Sequence, residues 1–308
     1  MDTRRYLAKP GKRFRLKDHD PADTGQFRDR SEADGLLGQG VEKLASLQDK
    51  LYAQDRWGML LIFQAMDAAG KDSVIKHVLS GVNPQGCDVT AFKAPSAEEL
   101  DHDFLWRTNR RLPERGRIGV FNRSYYEEVL VVRIHPTILG AQKLPPELIS
   151  KKIWGERYTD INAMERYLSR NGLVIRKFFL NVSKKEQARR FLARLESPAK
   201  NWKFSLADLK ERELWDEYMR AYEEMIDATS TEWAPWYVIP ADNKWYTHLA
   251  VADVINDALE GLHLAYPEIS GEQQKEIEMV KRKMRASGID GVVAAPRKAP
   301  DKKKGRRG

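Results

Sequence analysis

Cysteine is nearly absent from this sequence: Cys87 is the single one among 308 residues. One thiol cannot form an internal disulfide or a cysteine-based metal cluster, so we expect the compartment to be a reducing cytoplasm. No apolar run approaches the ~18 residues that a membrane-spanning helix needs, and the basic first residues precede no apolar signal core. These absences favour a cytoplasmic protein that does not bind a membrane.

Acidic residues are scarce only near the two ends of the chain. The net charge is +8 at pH 7; residues 275–308 hold 12 basic and 4 acidic side chains, and residues 1–17 hold 7 and 1. Residues 18–274 hold 34 basic and 40 acidic side chains, so the body is slightly acidic. Any polyanion that the body handles must therefore meet locally concentrated lysine and arginine. We interpret residues 297–308 as a solvated tail, with attraction of RNA or another polyanion as the alternative.

Short apolar runs alternate with helical patterns along the chain. Runs bounded by polar or turn residues predict five strands, at 59–64, 87–92, 117–121, 173–182 and 236–239. Apolar spacing typical of one helix face predicts helices at 73–80, 97–112, 147–169, 183–196, 205–230 and 244–262. This alternation favours an α/β fold, a doubly wound parallel five-stranded sheet whose ligands lie beyond the carboxyl ends of the strands.

The two ends of the chain lack sustained periodicity. Residues 1–35 and 268–308 are rich in glycine, proline or like charge. Such composition predicts two basic extensions that move independently of a central domain. We place that domain at residues 36–267.

Residues 60–79, LLIFQAMDAAGKDSVIKHVL, read as a phosphate-binding loop with two changes. The usual pattern is Gly, four residues, Gly-Lys-[Ser/Thr]; here Ala65 replaces the first glycine and Asp72 replaces the hydroxyl residue. An apolar strand pattern leads into the loop and a helical pattern follows it, as such a loop requires. Gly70 and Lys71 supply a tight turn at a helix N-terminus and a cation for the outer phosphates. The alternative is a strand-turn-helix corner with an accidental Gly-Lys pair.

Other residues of the loop complete this candidate site. Ala65 can replace glycine if its φ angle is negative, and Ser73 partly offsets the missing hydroxyl from one position later. Asp67 adds a carboxylate that can hold Mg²⁺. The residues that we expect to bind nucleotide or phosphate here are Ala68, Ala69, Gly70, Lys71, Asp72 and Ser73.

A second motif, RIGVFNRSYYEEVLVVRIHP, places Asn122, Arg123 and Ser124 at the end of another apolar strand. Phosphoryl-transfer domains keep a metal-holding acidic residue at this position. After the fourth strand, SKKEQARRFLARLESPAKNWK supplies cations that could close over a phosphate site, as the chemistry requires. Taken alone, this charge run has a solvated helix face as its alternative.

Taken together, these motifs resemble the polyphosphate kinase 2 family over residues 36–264. The resemblance is carried by AMDAAGKD, HDFLWR, FNRSYYEEVLVVRIHP, RRFLARLESPAKNWKFS, WDEY and APWYVIPADNKWY. It implies a phosphate-loop kinase with a helical lid at about 184–228 that transfers phosphoryl groups from inorganic polyphosphate to a nucleotide. FNRSYYEEVLVVR is most similar to the third class of the family, whose members phosphorylate AMP as well as ADP.

The resemblance also implies roles for individual residues. Asp67 corresponds to the loop aspartate that binds metal, Lys71 to the loop lysine, and Asn122 with Arg123 to the second metal-and-arginine motif. The amide oxygen of Asn122 is neutral, so we expect the metal, Mg²⁺, to depend more on Asp67 and on substrate phosphates. Glu127 stands where members restricted to one nucleotide step have asparagine. The further family positions that ligate phosphates are Arg133, Arg189, Arg190, Lys200 and Lys203.

We therefore predict Mg²⁺-dependent transfer between polyphosphate and AMP or ADP, with ATP as a product and with reversal possible. Glu127 lies four residues beyond Arg123, so one helical turn would bring its carboxylate close to the acceptor phosphates. The expected protein is a homo-oligomer that does not bind nucleic acid. Two alternatives stay open: an ATP-consuming nucleotide kinase of the thymidylate kinase type, and a non-enzymatic protein that binds polyanions through its basic tails.

Overall fold

Five parallel strands form the centre of the computed structural model, which describes residues 2–199, 201–203 and 205–287. The strands are β1 (Gly58–Gln64), β2 (Cys87–Ala91), β3 (Ile118–Asn122), β4 (Leu173–Asn181) and β5 (Trp236–Pro240). They lie in the order β2-β3-β1-β4-β5, and every neighbouring pair is parallel. The predicted fold class, a doubly wound parallel sheet of five strands, is confirmed.

The central strand β1 is the most buried strand of the sheet. Every residue of β1 is buried, because GMLLIFQ is the near-continuous apolar run that a sheet covered on both faces requires. The register sets Phe63 of β1 beside Asn122 of β3 on one side and Phe178 of β4 on the other. The carboxyl ends of these three strands therefore meet at one edge of the sheet.

Helices connect the strands and cover both faces of the sheet. In chain order they are α1 (Asp34–Gln54), α2 (Lys71–Val78), α3 (Ala97–Leu100), α4 (Trp106–Asn109), α5 (Val131–Ile134), α6 (Pro136–Ala141), α7 (Ile153–Arg170), α8 (Lys184–Leu195), α9 (Leu206–Glu213), α10 (Trp215–Thr229), α11 (Lys244–Glu260) and α12 (Gly271–Ala286). Helices α1, α2 and α11 pack against one another, while α7 contacts β4 and α10. Such a sheet offers ligand sites at the ends of its strands.

Two predicted helices are divided in the structure. The pattern at 97–112 forms two short helices, α3 and α4, because Asp103 accepts a hydrogen bond from the main-chain N–H of Leu105 and starts a new turn. The pattern at 205–230 is divided at Leu214 into α9 and α10. Both divisions occur at local turns. Such turns hardly change the spacing of apolar residues, so the spacing did not predict them.

Residues 1–35 do not form the independent extension that the sequence predicts. Tyr6, Ala8 and Phe14 are buried in the core, and the main-chain N–H of Ala8 donates to the carbonyl of Trp236 at 2.9 Å. The segment therefore covers the outer edge of β5, which would otherwise present unpaired main-chain groups. Isolated buried residues leave no periodic signal in a sequence, and for this reason the prediction was wrong.

The chain divides at Pro267 into two compact units, and the second unit contains α12. Ser270 and Gln273 form a capping box at the start of α12, so a helix occupies part of the tail for which we predict no regular structure. The basic residues 297–308 lie outside the described residues. In the part of the chain that is described, no helix has both the length and the apolar character needed to cross a membrane.

Candidate active site

The predicted phosphate loop connects β1 to α2 and turns tightly at Gly70. Gly70 has a φ angle of 116°, a left-handed conformation that glycine adopts without strain. Ala68 also has a positive φ, 61°, whereas Ala65 is not among the residues with positive φ. The condition under which alanine can replace the first glycine of the pattern is therefore met.

Ser73 lies on the first turn of α2 and lines the cavity above the loop. Its hydroxyl oxygen is within hydrogen-bond distance of Nε2 of His248, at 3.1 Å. This contact directs the hydroxyl toward α11. Its predicted part in replacing the missing loop hydroxyl stays a prediction.

Lys71 lies at the first position of α2 and folds back over the loop. Its Nζ donates to the carbonyl of Ala65 at 2.7 Å. Burial lowers the pKa of Lys71, and the nearby carboxylate of Asp67 opposes that shift. A phosphate oxygen is a charge-assisted acceptor and a stronger partner than a carbonyl, so the ammonium can exchange one acceptor for the other.

Asp67 and Arg123 connect the loop to the end of β3. Nη2 of Arg123 donates to Oδ1 of Asp67 at 3.0 Å. Arg123 has a φ angle of 65°, which is uncommon for a residue with a side chain. Burial lowers the pKa of Arg123, but the carboxylates of Glu127 and Asp67 raise it by more. A strained backbone that directs a cation toward a loop carboxylate is typical of functional sites.

Asn122 ends β3 and lies beside the start of α2. Its Nδ2 donates to Oδ1 of Asp72 at 2.7 Å, so the residue that replaces the loop hydroxyl is held by the asparagine. Asp67, Asp72 and Asn122 all line one cavity, and their side-chain oxygens are of the kind that Mg²⁺ prefers.

The side chains that the structure describes do not form a complete metal site by themselves. Among the described residues, no three acidic, histidine or cysteine side chains are grouped closely enough to hold a metal ion. Mg²⁺ commonly uses one or two carboxylates and takes its other ligands from substrate phosphates and water. The carboxylate of Asp67 beside the phosphate loop fits that requirement.

Glu127 lies on a 3₁₀ turn, Tyr125–Val129, that directly follows β3. Ser124 caps the turn through its hydroxyl. Burial raises the pKa of Glu127, and the cations Arg123 and Lys71 oppose this shift. The four residues that we predict to be catalytic thus form one cluster at the carboxyl ends of β1 and β3: Asp67, Lys71, Arg123 and Glu127.

A buried ion pair supports the turn that bears Glu127. The carboxylate of Glu165 accepts hydrogen bonds from the hydroxyls of Tyr125 and Tyr126, each at 2.8 Å, and from Nζ of Lys177 at 2.7 Å. Burial lowers the pKa of Lys177 to about 8, and Glu165 opposes that shift. This network was not predicted, because its members lie on separate elements and share no motif.

A cavity of about 1150 Å³ lies over the loop. Its walls come from the loop, the ends of β2 and β3, and the first part of the predicted lid, namely α8, α9 and the segment between them. The lid contributes Trp202, Asp208 and Arg194, and two more cations, Lys93 and Lys244, lie after β2 and at the start of α11. Lys93 and Lys244 were not predicted from the sequence, although they follow strand ends where ligand sites are expected.

Arg190 on α8 holds the loop in place. A guanidinium has five N–H donors, and all five are used here. The acceptors, at 2.5 to 3.0 Å, are Oε1 of Glu186 and the carbonyls of Ala68, Ala69, Ala241 and Asp242. In this structure every donor of Arg190 is used by the protein, so we assign Arg190 to positioning the loop. The direct phosphate contact that the resemblance implies stays a prediction.

Of the other predicted phosphate-binding cations, the two that the structure describes in full, Arg133 and Arg189, do not line the cavity. Arg189 is exposed and forms an ion pair within α8. Arg133 forms an ion pair with Glu224 at 2.5 Å. Lys200 and the side chain of Lys203 lie outside the described residues. Phosphate binding by these four residues stays a prediction.

A parallel sheet, a strand-loop-helix phosphate site with its lysine and a lid of helices together define a phosphate-loop kinase. The chain belongs to the polyphosphate kinase 2 family, because the family model described as Polyphosphate kinase 2 (PPK2) matches residues 27–266. This match covers the region over which the motifs show the resemblance. The predicted family is therefore confirmed.

Individual relatives agree with this assignment. The chain is 52% identical over 282 residues to an ADP-polyphosphate phosphotransferase of Rhodopseudomonas palustris, covering 89% of this chain and 98% of the relative. It is 44% identical over 269 residues to an AMP/ADP-polyphosphate phosphotransferase of Meiothermus ruber, covering 86% and 96%. The crystal structure of polyphosphate kinase 2 from Arthrobacter aurescens TC1 matches with a TM-score of 0.81 and 41% identity, covering 90% and 98%.

Proposed function

We propose that this protein transfers phosphoryl groups from inorganic polyphosphate to AMP and ADP, forming ADP and ATP, with Mg²⁺ as its metal. The observation that carries the proposal is the grouping of Lys71, Asp67 and Arg123 beside one large cavity. Relatives that match over almost their whole length are named for ADP and for AMP/ADP, which supports both acceptors.

The reaction needs positioning and charge neutralisation more than proton transfer. A terminal phosphate oxygen of the acceptor attacks the end phosphorus of polyphosphate, the bond to the bridging oxygen breaks, and its electron pair stays on the shortened chain. Lys71 and the loop N–H groups hold the phosphates, and Arg123 neutralises charge on the transferred group. Mg²⁺, when bound by Asp67 with Asn122 as a second oxygen ligand, supplies further neutralisation at phosphate oxygens.

The cations around the cavity suit a polyanionic donor. The body of the chain is slightly acidic, so a long polyphosphate must be attracted by basic side chains concentrated at one place. Lys93, Arg194 and Lys244 lie around the same cavity as the phosphate loop. We assign them to holding the polyphosphate chain while its end reacts.

One assay tests the proposed donor. We expect the protein to form ATP, detected with luciferase, when it is incubated with ADP, Mg²⁺ and long-chain polyphosphate as the sole added donor. The matched incubation without polyphosphate should form none. Transfer from ATP to AMP without polyphosphate would indicate an ATP-dependent nucleotide kinase instead, and no transfer under any condition would indicate a binding protein.

Glu127 is predicted to select the acceptor. Its carboxylate lies close to Arg123 and Lys71, where it can position the shorter AMP through a bridging metal ion or water. We expect Glu127→Asn to lower kcat/KM for AMP severalfold more than for ADP, at saturating polyphosphate. The matched control is Glu128→Gln. The neighbouring carboxylate of Glu128 accepts hydrogen bonds from Gln142 and Arg157, outside the candidate site, so this change should not alter the preference between AMP and ADP. Equal losses for AMP and ADP in Glu127→Asn would remove Glu127 from acceptor choice.

We also propose a cytoplasmic location and a homo-oligomeric state. The location is supported by the scarcity of cysteine, which suits a reducing compartment. Size-exclusion chromatography with light scattering measures the oligomeric state directly. Nucleic acid is not proposed as a ligand, because the basic excess lies in the terminal segments outside the acidic body.

A further inference from the structure

A buried glutamine connects the lid to the main chain of Asp67. Gln187 lies on α8 and is 1% exposed. Its Nε2 donates to the carbonyl of Asp67 at 2.9 Å, and its Oε1 accepts from Nη1 of Arg212 on α9 at 2.6 Å. One side-chain amide thus bridges the second lid helix and the phosphate loop.

The amide can make both contacts in one orientation only. An amide offers N–H donors on one side and an oxygen acceptor on the other. Arg212 is always charged and can only donate, so it fixes the oxygen of Gln187 toward α9. The N–H groups must then face the loop, where the carbonyl of Asp67 accepts.

Three successive loop carbonyls point at α8. Gln187 binds the carbonyl of Asp67, and Arg190 binds those of Ala68 and Ala69. In a trans peptide the C=O and the next N–H point in opposite directions, so these contacts turn the N–H groups of Ala68 and Gly70 away from α8. Side chains of α8 therefore set the direction of the amides that a phosphate loop uses.

Helix α9 is itself anchored to the body of the domain. The carboxylate of Glu211 lies 3.0 Å from Nε2 of His135 and accepts from the hydroxyl of Tyr218 at 2.6 Å. Arg212 also donates to the carbonyl of Lys184 at 2.8 Å. The position of α9 therefore determines where the guanidinium of Arg212 meets Gln187.

We infer that Gln187 is a positioning residue for Asp67, and that Arg212 makes this positioning depend on the docking of α9. When α9 moves away, Gln187 loses the partner that orients its amide, and the loop around Asp67 loses order. The consequence for metal binding rests on the proposed function of Asp67. The coupling itself is a property of the protein without substrate.

Hydrogen–deuterium exchange on the full-length protein without added ligand tests the coupling. We expect Gln187→Leu to raise exchange of peptides covering residues 65–74 by about tenfold, the effect of one hydrogen bond of ordinary strength. Arg212→Met should raise exchange of the same peptides, because Arg212 acts on the loop through the amide of Gln187. The double variant should match Gln187→Leu alone, because both act through one amide.

Gln48→Leu is the matched control for the loss of a buried amide. Gln48 is also 1% exposed, and it accepts from the main-chain N–H of Asn83 on another part of the fold. This variant should lower the melting temperature and leave the loop peptides at the exchange of the wild type. If Gln187→Leu does not fold, the exchange measured for Arg212→Met tests the coupling by itself, because Arg212 is partly exposed and its replacement disturbs the core less.

Kinetics supply a second measurement. Gln187→Leu and Arg212→Met should each raise the Mg²⁺ concentration for half-maximal activity by about tenfold, the usual effect of losing an outer contact of a metal ligand, with little change in KM for ADP. The inference would be overturned if the loop peptides of Arg212→Met exchanged at the wild-type rate. It would also be overturned if the effects of the two single changes multiplied in the double variant. A wild type that makes no ATP from polyphosphate would refute the proposed function while leaving the exchange result interpretable.

Discussion

Replacing Lys71 with alanine is expected to lower turnover by about 10²-fold or more, which corresponds to ~3 kcal/mol of lost transition-state stabilisation. The reason is that Lys71 supplies a cation at the start of α2, beside the carboxylate of Asp67. In the structure its ammonium donates to the carbonyl of Ala65. This hydrogen bond keeps the ammonium at the loop, where a phosphate oxygen can replace the carbonyl as its acceptor. Steady-state kinetics with saturating ADP, Mg²⁺ and polyphosphate measure the loss.

A control on the same helix separates this effect from a general loss of charge. Lys76 is exposed in the last turn of α2, so Lys76→Ala removes an equal charge a short distance from the loop. Its turnover should stay within about twofold of the wild type, because surface charges act weakly in screened solvent. Near-normal turnover in a Lys71→Ala variant with an intact thermal unfolding transition would contradict the assignment of a phosphate loop.

The sheet and its loop could be predicted because both depend on local sequence. Near-continuous apolar runs predict strands at 59–64 and 173–182, and the structure has β1 and β4 there. Gly70 and Lys71 follow β1 directly, and a turn into a helix is written in a few adjacent residues. Asn122 and Arg123 are polar residues at the end of an apolar strand pattern. The carboxyl ends of parallel strands meet at one edge of the sheet, so their place beside the loop could also be predicted.

The contacts that hold the loop could not be predicted in this way. Arg190 and Gln187 bind main-chain carbonyls that lie more than a hundred positions away in sequence. A carbonyl belongs to every residue, so the acceptor leaves no mark on residue identity. From sequence alone, Arg190 is predicted to bind phosphate, and its contacts with the loop carbonyls are visible only in the structure.

The core contributions of the first residues were missed for a related reason. Phe14 is buried, and its main-chain N–H donates to the carboxylate of Asp227 at 2.6 Å. A segment that packs through single side chains and single hydrogen bonds has neither the period of a helix nor that of a strand. Its composition, rich in basic residues and glycine, therefore resembles that of a solvated extension.

The conformation of Arg123 leads to the second large prediction. Its left-handed φ angle of 65° directs the guanidinium to Asp67 at 3.0 Å, and the carboxylate of Glu127 also stabilises its charge. In phosphoryl transfer, negative charge spreads over the oxygens of the moving group, and an arginine that meets it contributes about 10³-fold or more to turnover. We expect Arg123→Ala to lower kcat by about 10³-fold.

Alanine at this position keeps the left-handed strain of a residue with a side chain, so the comparison isolates the guanidinium. Arg123→Lys should recover only part of the loss, because an ammonium lacks the planar fork that contacts two oxygens at once. The matched control is Arg117→Ala near the other end of β3, where Arg117 pairs with Glu114 at 2.9 Å; its turnover should equal that of the wild type.

If Arg123→Ala retains more than about a tenth of normal turnover, then Lys71 and the metal neutralise the transferred group without it. Arg123 would in that case serve chiefly to hold Asp67 in place, and its loss would appear in the Mg²⁺ titration instead of the rate at saturating Mg²⁺.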